Sequence, residues 1–197
     1  MRPGTAEPGF RSFHPGDTLE QEVSHAASDL PVLRGALVAL RPVAPADIAR
    51  LTEILAEPSI LPWWGSYDID KARAEFLEDD TAAFAIEASG GEIVGCIEYY
   101  EENEPEYRHA SLDIFVATAH QGRGVGTDAL RTLARHLFDE RGHHRLTIDP
   151  ATANERAIGV YRKVGFQPVG VMRRYERGPD GQWRDALLMD LLREELG

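Results

Sequence analysis

The chain has 197 residues, 43% of them hydrophobic, and carries 21 Lys and Arg against 33 Asp and Glu, a formal net charge of -12. That describes one globular domain with a real core, and no run approaches the ~18 apolar residues a bilayer crossing takes. The acidic balance argues against nucleic acid, which needs a basic face, and suits either a cationic ligand or plain solubility.

Residues 1 to about 33 are rich in Pro, Gly, Ser, His and Glu and show little periodicity, so they read as a partly flexible N-terminal extension to a domain over 34–197. The start has no apolar stretch of the kind a secretory signal carries. Cys96 is the only cysteine. With no intramolecular disulfide available, a cytoplasmic setting is expected.

From Ala36 the pattern is regular. Ala36 to Arg41 reads as a strand. Pro45 to Glu57 carries Ile48, Leu51, Ile54 and Leu55 on one helical stripe. Pro58 to Tyr67 reads as a loop holding Trp63 and Trp64, and Lys71 to Asp79 as a short helix. Phe84 to Ala88 and Glu92 to Tyr99 flank Ser89-Gly90-Gly91, a hairpin signal. Ser111 to Val116 is a strand. Leu130, Leu133, Ala134, Leu137 and Phe138 make Thr127 to Glu140 the clearest helix. Arg145 to Asp149 is a strand. Thr152 to Glu155 reads as a capping box opening a helix to about Lys163, with Gly165 as its stop. Phe166 to Arg173 and Arg184 to Leu191 form a last hairpin. The expected class is mixed α and β.

Gln121-Gly122-Arg123-Gly124-Val125-Gly126-Thr127 stands between a strand and a strong helix. Glycines let a backbone approach a ligand closely, and a helix start offers unpaired N–H groups and partial positive charge. Together they make a pyrophosphate site. A strict dinucleotide fingerprint fails, because Thr127 or Ala129 stands where its last glycine belongs. The form relaxed to a final Ala fits only in a frame that buries its glycines within the helix. A P-loop fails for want of Gly-Lys-Ser/Thr.

Gln121, Gly124 and Gly126 satisfy Q/R-x-x-G-x-G/A. Downstream, Asn154, Ala157, Tyr161, Lys163, Gly165 and Phe166 satisfy N-x-x-A-x-x-x-Y-x-K-x-G-F. In both motifs the chain resembles the GNAT superfamily of N-acetyltransferases. The resemblance implies a GNAT fold, with a mostly antiparallel splayed sheet between helices, and acetyl-CoA as co-substrate with no metal. It implies a donor site built from Phe115, Val116, Gln121, Gly122, Arg123, Gly124, Val125, Gly126, Thr127, Asn154, Ala157, Tyr161 and Lys163, with Tyr161 protonating the departing thiolate. By spacing alone, Tyr161 also reads as a core aromatic. A backbone N–H near Val116 is expected to polarise the thioester carbonyl.

Three further features resemble the aminoglycoside 6'-N-acetyltransferases: Pro62-Trp63-Trp64-Gly65, Leu112-Asp113-Ile114, and Ile148-Asp149-Pro150 followed by Asn154. A charge in mid-strand conflicts with burial unless it is paired or faces a cleft, so Asp113 is either salt-bridged to Arg108 or Arg145 or serves as a catalytic base. Asp149 ends a strand, where it caps a turn or holds an amine. Trp63, Trp64, Tyr99, Glu101, Asp113 and Asp149 form the expected acceptor site, and the acidic run from Glu98 to Glu106 offers it a wall. The expected partner is a cationic small-molecule amine, with no nucleic acid or membrane, for a monomer or homodimer. A tryptophan-rich stretch that some of these enzymes have between Tyr99 and Ala110 is missing here, which bears on drug specificity. Rival readings are a siderophore-type lysine N-acyltransferase, a protein N-terminal acetyltransferase and a non-catalytic acyl-CoA sensor. His143 and His144 read as a surface turn, His109 and His120 as loop histidines, and Cys96 as structural.

Overall fold

Residues 30–78 and 82–197 are described by the computed structural model. Among the described residues eight strands form: β1 (Leu33–Arg34), β2 (Val38–Pro42), β3 (Ala82–Ala88), β4 (Ile93–Glu102), β5 (His109–Val116), β6 (Arg145–Ile148), β7 (Gln167–Arg177) and β8 (Trp183–Leu192). They make one sheet in the order β1-β2-β3-β4-β5-β6-β8-β7. Every neighbouring pair is antiparallel except β5 with β6. That parallel pair is joined only at Ala110↔Leu146 and Ser111↔Thr147, where the two side-chain hydroxyls lie 2.8 Å apart. Beyond this point the strands diverge, and the sheet splays open.

The helices are α1 (Ile48–Leu55), α2 (Leu61–Trp64), α3 (Ile69–Arg73), α4 (Val125–Asp139) and α5 (Glu155–Val164). The tryptophan segment, expected as a loop, is the short helix α2, with Pro62 in its first turn and Gly65 ending it at φ 75°. Asp68 caps α3 by accepting the Lys71 N–H at 2.8 Å, and the chain continues as one wide turn over Ala74–Glu78. The start expected at Thr152 for α5 is corrected to Asn154, whose Oδ1 accepts the Ala157 N–H at 3.2 Å. Thr152 is not free to cap, because its N–H donates to the Asp185 carbonyl and Ala151 bridges Ala186 of β8. The extension expected over 1–33 lies outside the described residues as far as residue 29. Leu30 and Leu33 pack against the core, and Leu33 pairs with Leu40.

Strand alternation sorts side chains into two layers. Ala110 and Leu112 of β5 join a core with Leu130, Leu133, Leu137, Ile158 and Val164 of α4 and α5. Phe115, Cys96 and Ala85 join a second core with Leu51, Ile54 and Leu55 of α1 and Phe76. Each fully buried aliphatic contributes about 1.5–3 kcal/mol, so the layers fix the register of β4 on β5. Arg41 secures the first turn of the α1 segment. Its guanidinium donates to both Asp47 oxygens at 2.7 and 2.8 Å and to Glu87 at 3.0 Å.

Gly165 ends α5 at φ 128°, and a Cβ there would collide with the Glu195 carbonyl oxygen. Backbone cannot yield as a side chain does. Gly165→Ala is therefore expected to cost about 3 kcal/mol or more, read as a lowered midpoint in urea unfolding at unchanged slope.

Candidate active site

The splay is where the sequence motifs converge. Along β4 and β5 the register pairs Cys96 with Phe115, Glu98 with Asp113 and Tyr100 with Ser111. Asp113 thus points to the face carrying α2 and α3, opposite the α4 and α5 core, with Glu98 and Tyr100 beside it. A cavity of about 380 Å³ opens there, lined by Trp63, Trp64, Tyr67, Glu75, Glu98, Tyr100, Asp113, Asp149, Tyr161 and Glu176 and, toward α4, by Val116, Gln121, Gly122 and Gly126.

Period two also corrects the two acceptor residues expected on β4. Tyr99 is 2% exposed and stacks on Phe84 in the core on the far face. Glu101 accepts from Arg141 at 2.7 and 3.1 Å, and its carboxylate lies 2.7 Å from His143 Nε2. Neither lines the cleft; Glu98 and Tyr100, one position earlier in each case, do. The salt bridge considered for Asp113 does not form. Arg108 donates to the carbonyls of Arg141 and Gly142, and Arg145 pairs with Asp190 at 2.9 Å.

Backbone polarity follows the same alternation. The Ala117 N–H donates to the Val94 carbonyl, which fixes the odd residues of β5 as those bonded to β4. The peptide groups of Ile114 and Val116 therefore face the open edge of the splay. The Gln121 side chain donates to the Val116 carbonyl at 2.7 Å and accepts from Arg156. Gly122 and Gly124 hold φ of 74° and 86°, a left-handed geometry that L side chains resist, and Gly124 is the N-cap of α4. The turn aims the first N–H groups of α4 outward beside the splay.

Of the other expected donor-site residues, Asn154 and Ala157 line the cleft from the start of α5. Phe115 borders it, but its ring is locked against Trp64 at 4.9 Å and Phe76 at 6.0 Å. Arg123, Gly124 and Thr127 complete the turn and helix start outside the lining, and the Val125 side chain is core. Lys163 is exposed on the outer face of α5, with its carbonyl accepting from Arg131 at 2.8 Å. Trp64 packs against the second core and also lines the cleft, and Trp63 borders both the cleft and an outer groove lined by Trp183. Two tethers hold α2 in place. Glu57 accepts the Thr118 N–H at 2.7 Å beside the end of β5, and Arg184 donates to the Pro62 carbonyl at 2.7 Å.

Electrostatics in the cleft run one way. Burial, with Asp149, Glu75 and Glu176 nearby, pushes the Asp113 carboxyl up to about 7. Burial also raises Asp149, although the Tyr175 hydroxyl opposes it. Glu176 is raised by burial and by Asp149, against the pull of Arg184. Tyr161, 7% exposed, is held well above the ordinary phenol value by burial and by Asp113 and Asp149, so its proton stays on. Sequence reasoning missed Tyr67, Glu75, Arg156 and Glu176. Arg156 lay inside the second motif at an unspecified position. Glu75 and Glu176 carried no local signal, because only the tertiary fold brings them to the cleft.

Comparison with known proteins matches residues 38–167 to the acetyltransferase (GNAT) domain model. Aminoglycoside N(6')-acetyltransferase type 1 of Klebsiella pneumoniae is 30% identical over 164 residues, covering 73% of this chain and 79% of that protein. Spermidine N(1)-acetyltransferase of Escherichia coli (strain K12) is 24% identical over 164 residues, covering 80% of this chain and 87% of that protein. Among solved structures, aminoglycoside acetyltransferase AAC(6')-Ib in complex with coenzyme A superposes with a TM-score of 0.66 at 28% identity, over 80% of this chain and 96% of that one. The splayed sheet, the glycine turn at the start of α4 and these matches agree: the chain belongs to the GNAT family and is an acetyltransferase.

Proposed function

We propose that the protein transfers an acetyl group from acetyl-CoA to a primary amine of a polycationic small molecule, and that this molecule is an aminoglycoside modified on its 6'-amine, which would make the chain an antibiotic-resistance enzyme. One observation carries the reading. Five carboxylates, Glu75, Glu98, Asp113, Asp149 and Glu176, line one cavity, and Arg156 at its donor side is the only cation among the described lining residues. Such a pocket attracts a multiply charged amine and repels acids. Trp63, Trp64 and Tyr100 add aromatic surface for a sugar face or an ammonium.

The residues present fit the donor. The first-turn amides of α4 behind Gly122 and Gly124 suit a pyrophosphate, and Arg156 adds a positive charge. The open β5 edge at Ile114 and Val116 suits the amide-bearing arm. When bound, the donor supplies an acetyl thioester whose C–S bond breaks as the new C–N bond forms. Asp113 takes the ammonium proton and so frees the nitrogen lone pair. The Tyr161 hydroxyl gives its proton to the leaving sulfur. The Val116 N–H at the open edge stabilises charge on the carbonyl oxygen, and much of the rate comes from holding two reactants together. We infer a cytoplasmic setting, where such a thioester is made and the thiol of buried Cys96 stays reduced.

The second reading is a linear polyamine acceptor, favoured by the similarity to spermidine N(1)-acetyltransferase. Free-thiol release from acetyl-CoA, measured with kanamycin, spermidine, hydroxylysine and a peptide, separates the readings. Kanamycin is expected to give the highest kcat/KM, at least about tenfold above the peptide, and to lose that lead in high salt. A peptide preferred over both polyamines would remove the cationic-acceptor reading. Absence of CoA affinity in calorimetry would remove the enzyme reading altogether.

A further inference from the structure

β7 and β8 lose register in mid-hairpin. Met172 pairs with Ala186, and the next pair is Glu176 with Arg184. Three residues of β7, Arg173, Arg174 and Tyr175, therefore stand against Asp185 alone. A regular ladder would run from Met172 opposite Ala186 to Arg174 opposite Arg184. The two-residue excess keeps parity but changes the occupant, so Glu176 takes the place Arg174 would hold. Glu176 lines the acidic cleft and feels Asp149. An arginine in that register would set one guanidinium beside another and turn a cationic acceptor away.

The arch is held against strain. Arg174 has φ 51°, the only positive value outside glycine among the described residues, a left-handed conformation that residues with a side chain resist. Its N–H donates to Asp185 Oδ1 at 2.7 Å. The backbone carbonyl of the same Asp185 accepts the Thr152 N–H at 2.9 Å. Asp185 thus ties the arch to the segment that carries Asp149. At the end of the arch the Tyr175 hydroxyl comes up against the Asp149 carboxylate. Bulges that re-aim a side chain at a site are a recurrent device of β-sheets.

We propose that Asp185 is a positioning residue for acetyl transfer: by holding the β7 arch it sets Glu176, in place of Arg174, on the acceptor wall, and so makes the enzyme select amines that carry a second cationic centre. The inference rests on the amine-acetyltransferase reading above. Glu176 binds the second centre, and Asp185 acts through the Arg174 N–H.

The test measures kcat and KM for spermidine, which has several cationic centres, and butylamine, which has one, in wild type and in Glu176→Gln, Asp185→Ala and Asp185→Asn. The ratio of kcat/KM for spermidine over butylamine is expected to fall about tenfold in Glu176→Gln and Asp185→Ala, through the KM of spermidine. Asp185→Asn keeps the ratio, since an amide oxygen still accepts the Arg174 N–H. The proposal is overturned by an unmoved ratio in Glu176→Gln, by equal losses on both amines in Asp185→Ala, or by Asp185→Asn falling as far as Asp185→Ala. Should Asp185→Ala show no thermal transition, Asp185→Ser, whose shorter side chain does not reach the Arg174 N–H, takes its place with the same expected loss and the same overturning result. A wild-type enzyme that acetylates neither amine nor kanamycin removes the underlying reading. One that acetylates both amines at a ratio no variant moves removes this inference only.

Discussion

Replacing Asp113 with Asn is expected to lower kcat/KM for the amine by about 10²–10³-fold while the Kd for acetyl-CoA changes by less than about twofold. The amide cannot accept a proton, yet it matches the carboxyl in shape, and the donor contacts at the start of α4 lie on another element. The pH profile supplies a sharper reading. Burial and three neighbouring acids hold the Asp113 carboxyl at about 7, so the base form grows as pH rises through 7. The wild-type kcat/KM should climb about tenfold per pH unit below that point and level above it. In Asp113→Asn this limb should vanish. Stability should move the other way. A carboxyl raised in the folded state favours folding below its unfolded value near 4, and that contribution is lost as pH rises through 7. Removing the charge should therefore raise Tm at pH 8 and leave it nearly unchanged at pH 4. The ceiling is about 4 kcal/mol, and water in the cleft leaves only part of it. Undiminished turnover in the variant would take the base role away from Asp113.

Strand and helix periodicity made most of the scaffold legible. The apolar stripes of α1 and α4 and the alternation in β5 are signals of single elements, and the structure has them within a few residues. The motif at Gln121 to Gly126 was legible for the same reason, since its glycines do their work locally. What alternation did not give was the absolute face. Tyr99 and Glu101 looked as eligible as Glu98 and Tyr100 until the pairing of Glu98 with Asp113 was fixed by two packed layers. Glu75 and Glu176 stayed hidden because each comes from an element on the far side of the cleft in sequence. Glu176 was hidden further because the strand expected over Phe166 to Arg173 stops short of it, whereas β7 runs on to Arg177. Thr152 was misread because a serviceable cap sequence competes with sheet pairing, and at Ala151 and Thr152 the sheet wins.

Gly126→Asp is expected to separate fold from donor binding. Gly126 is the second residue of α4 and lines the cleft. A Cβ built there meets only Val116 Cγ2 at 3.7 Å and Val160 Cγ1 at 4.0 Å, ordinary contacts that leave room for a side chain. Glycine is also a poor helix residue, and an acid in the first turn of a helix is favoured by the dipole by about 0.3–1 kcal/mol. The variant should therefore fold, with Tm equal to or above wild type. The same carboxylate would occupy the outward side of the amides that suit a pyrophosphate and would repel its charge. A loss of about 10³-fold in acetyl-CoA affinity is expected, about 4 kcal/mol, measured by calorimetry. Opposite signs for stability and binding at one residue are the mark of a glycine kept for a ligand's approach, because a glycine kept for packing would lose both together. Retained affinity in a folded Gly126→Asp protein would move the pyrophosphate off the start of α4, and with it the orientation that brings the thioester to Asp113 and Tyr161.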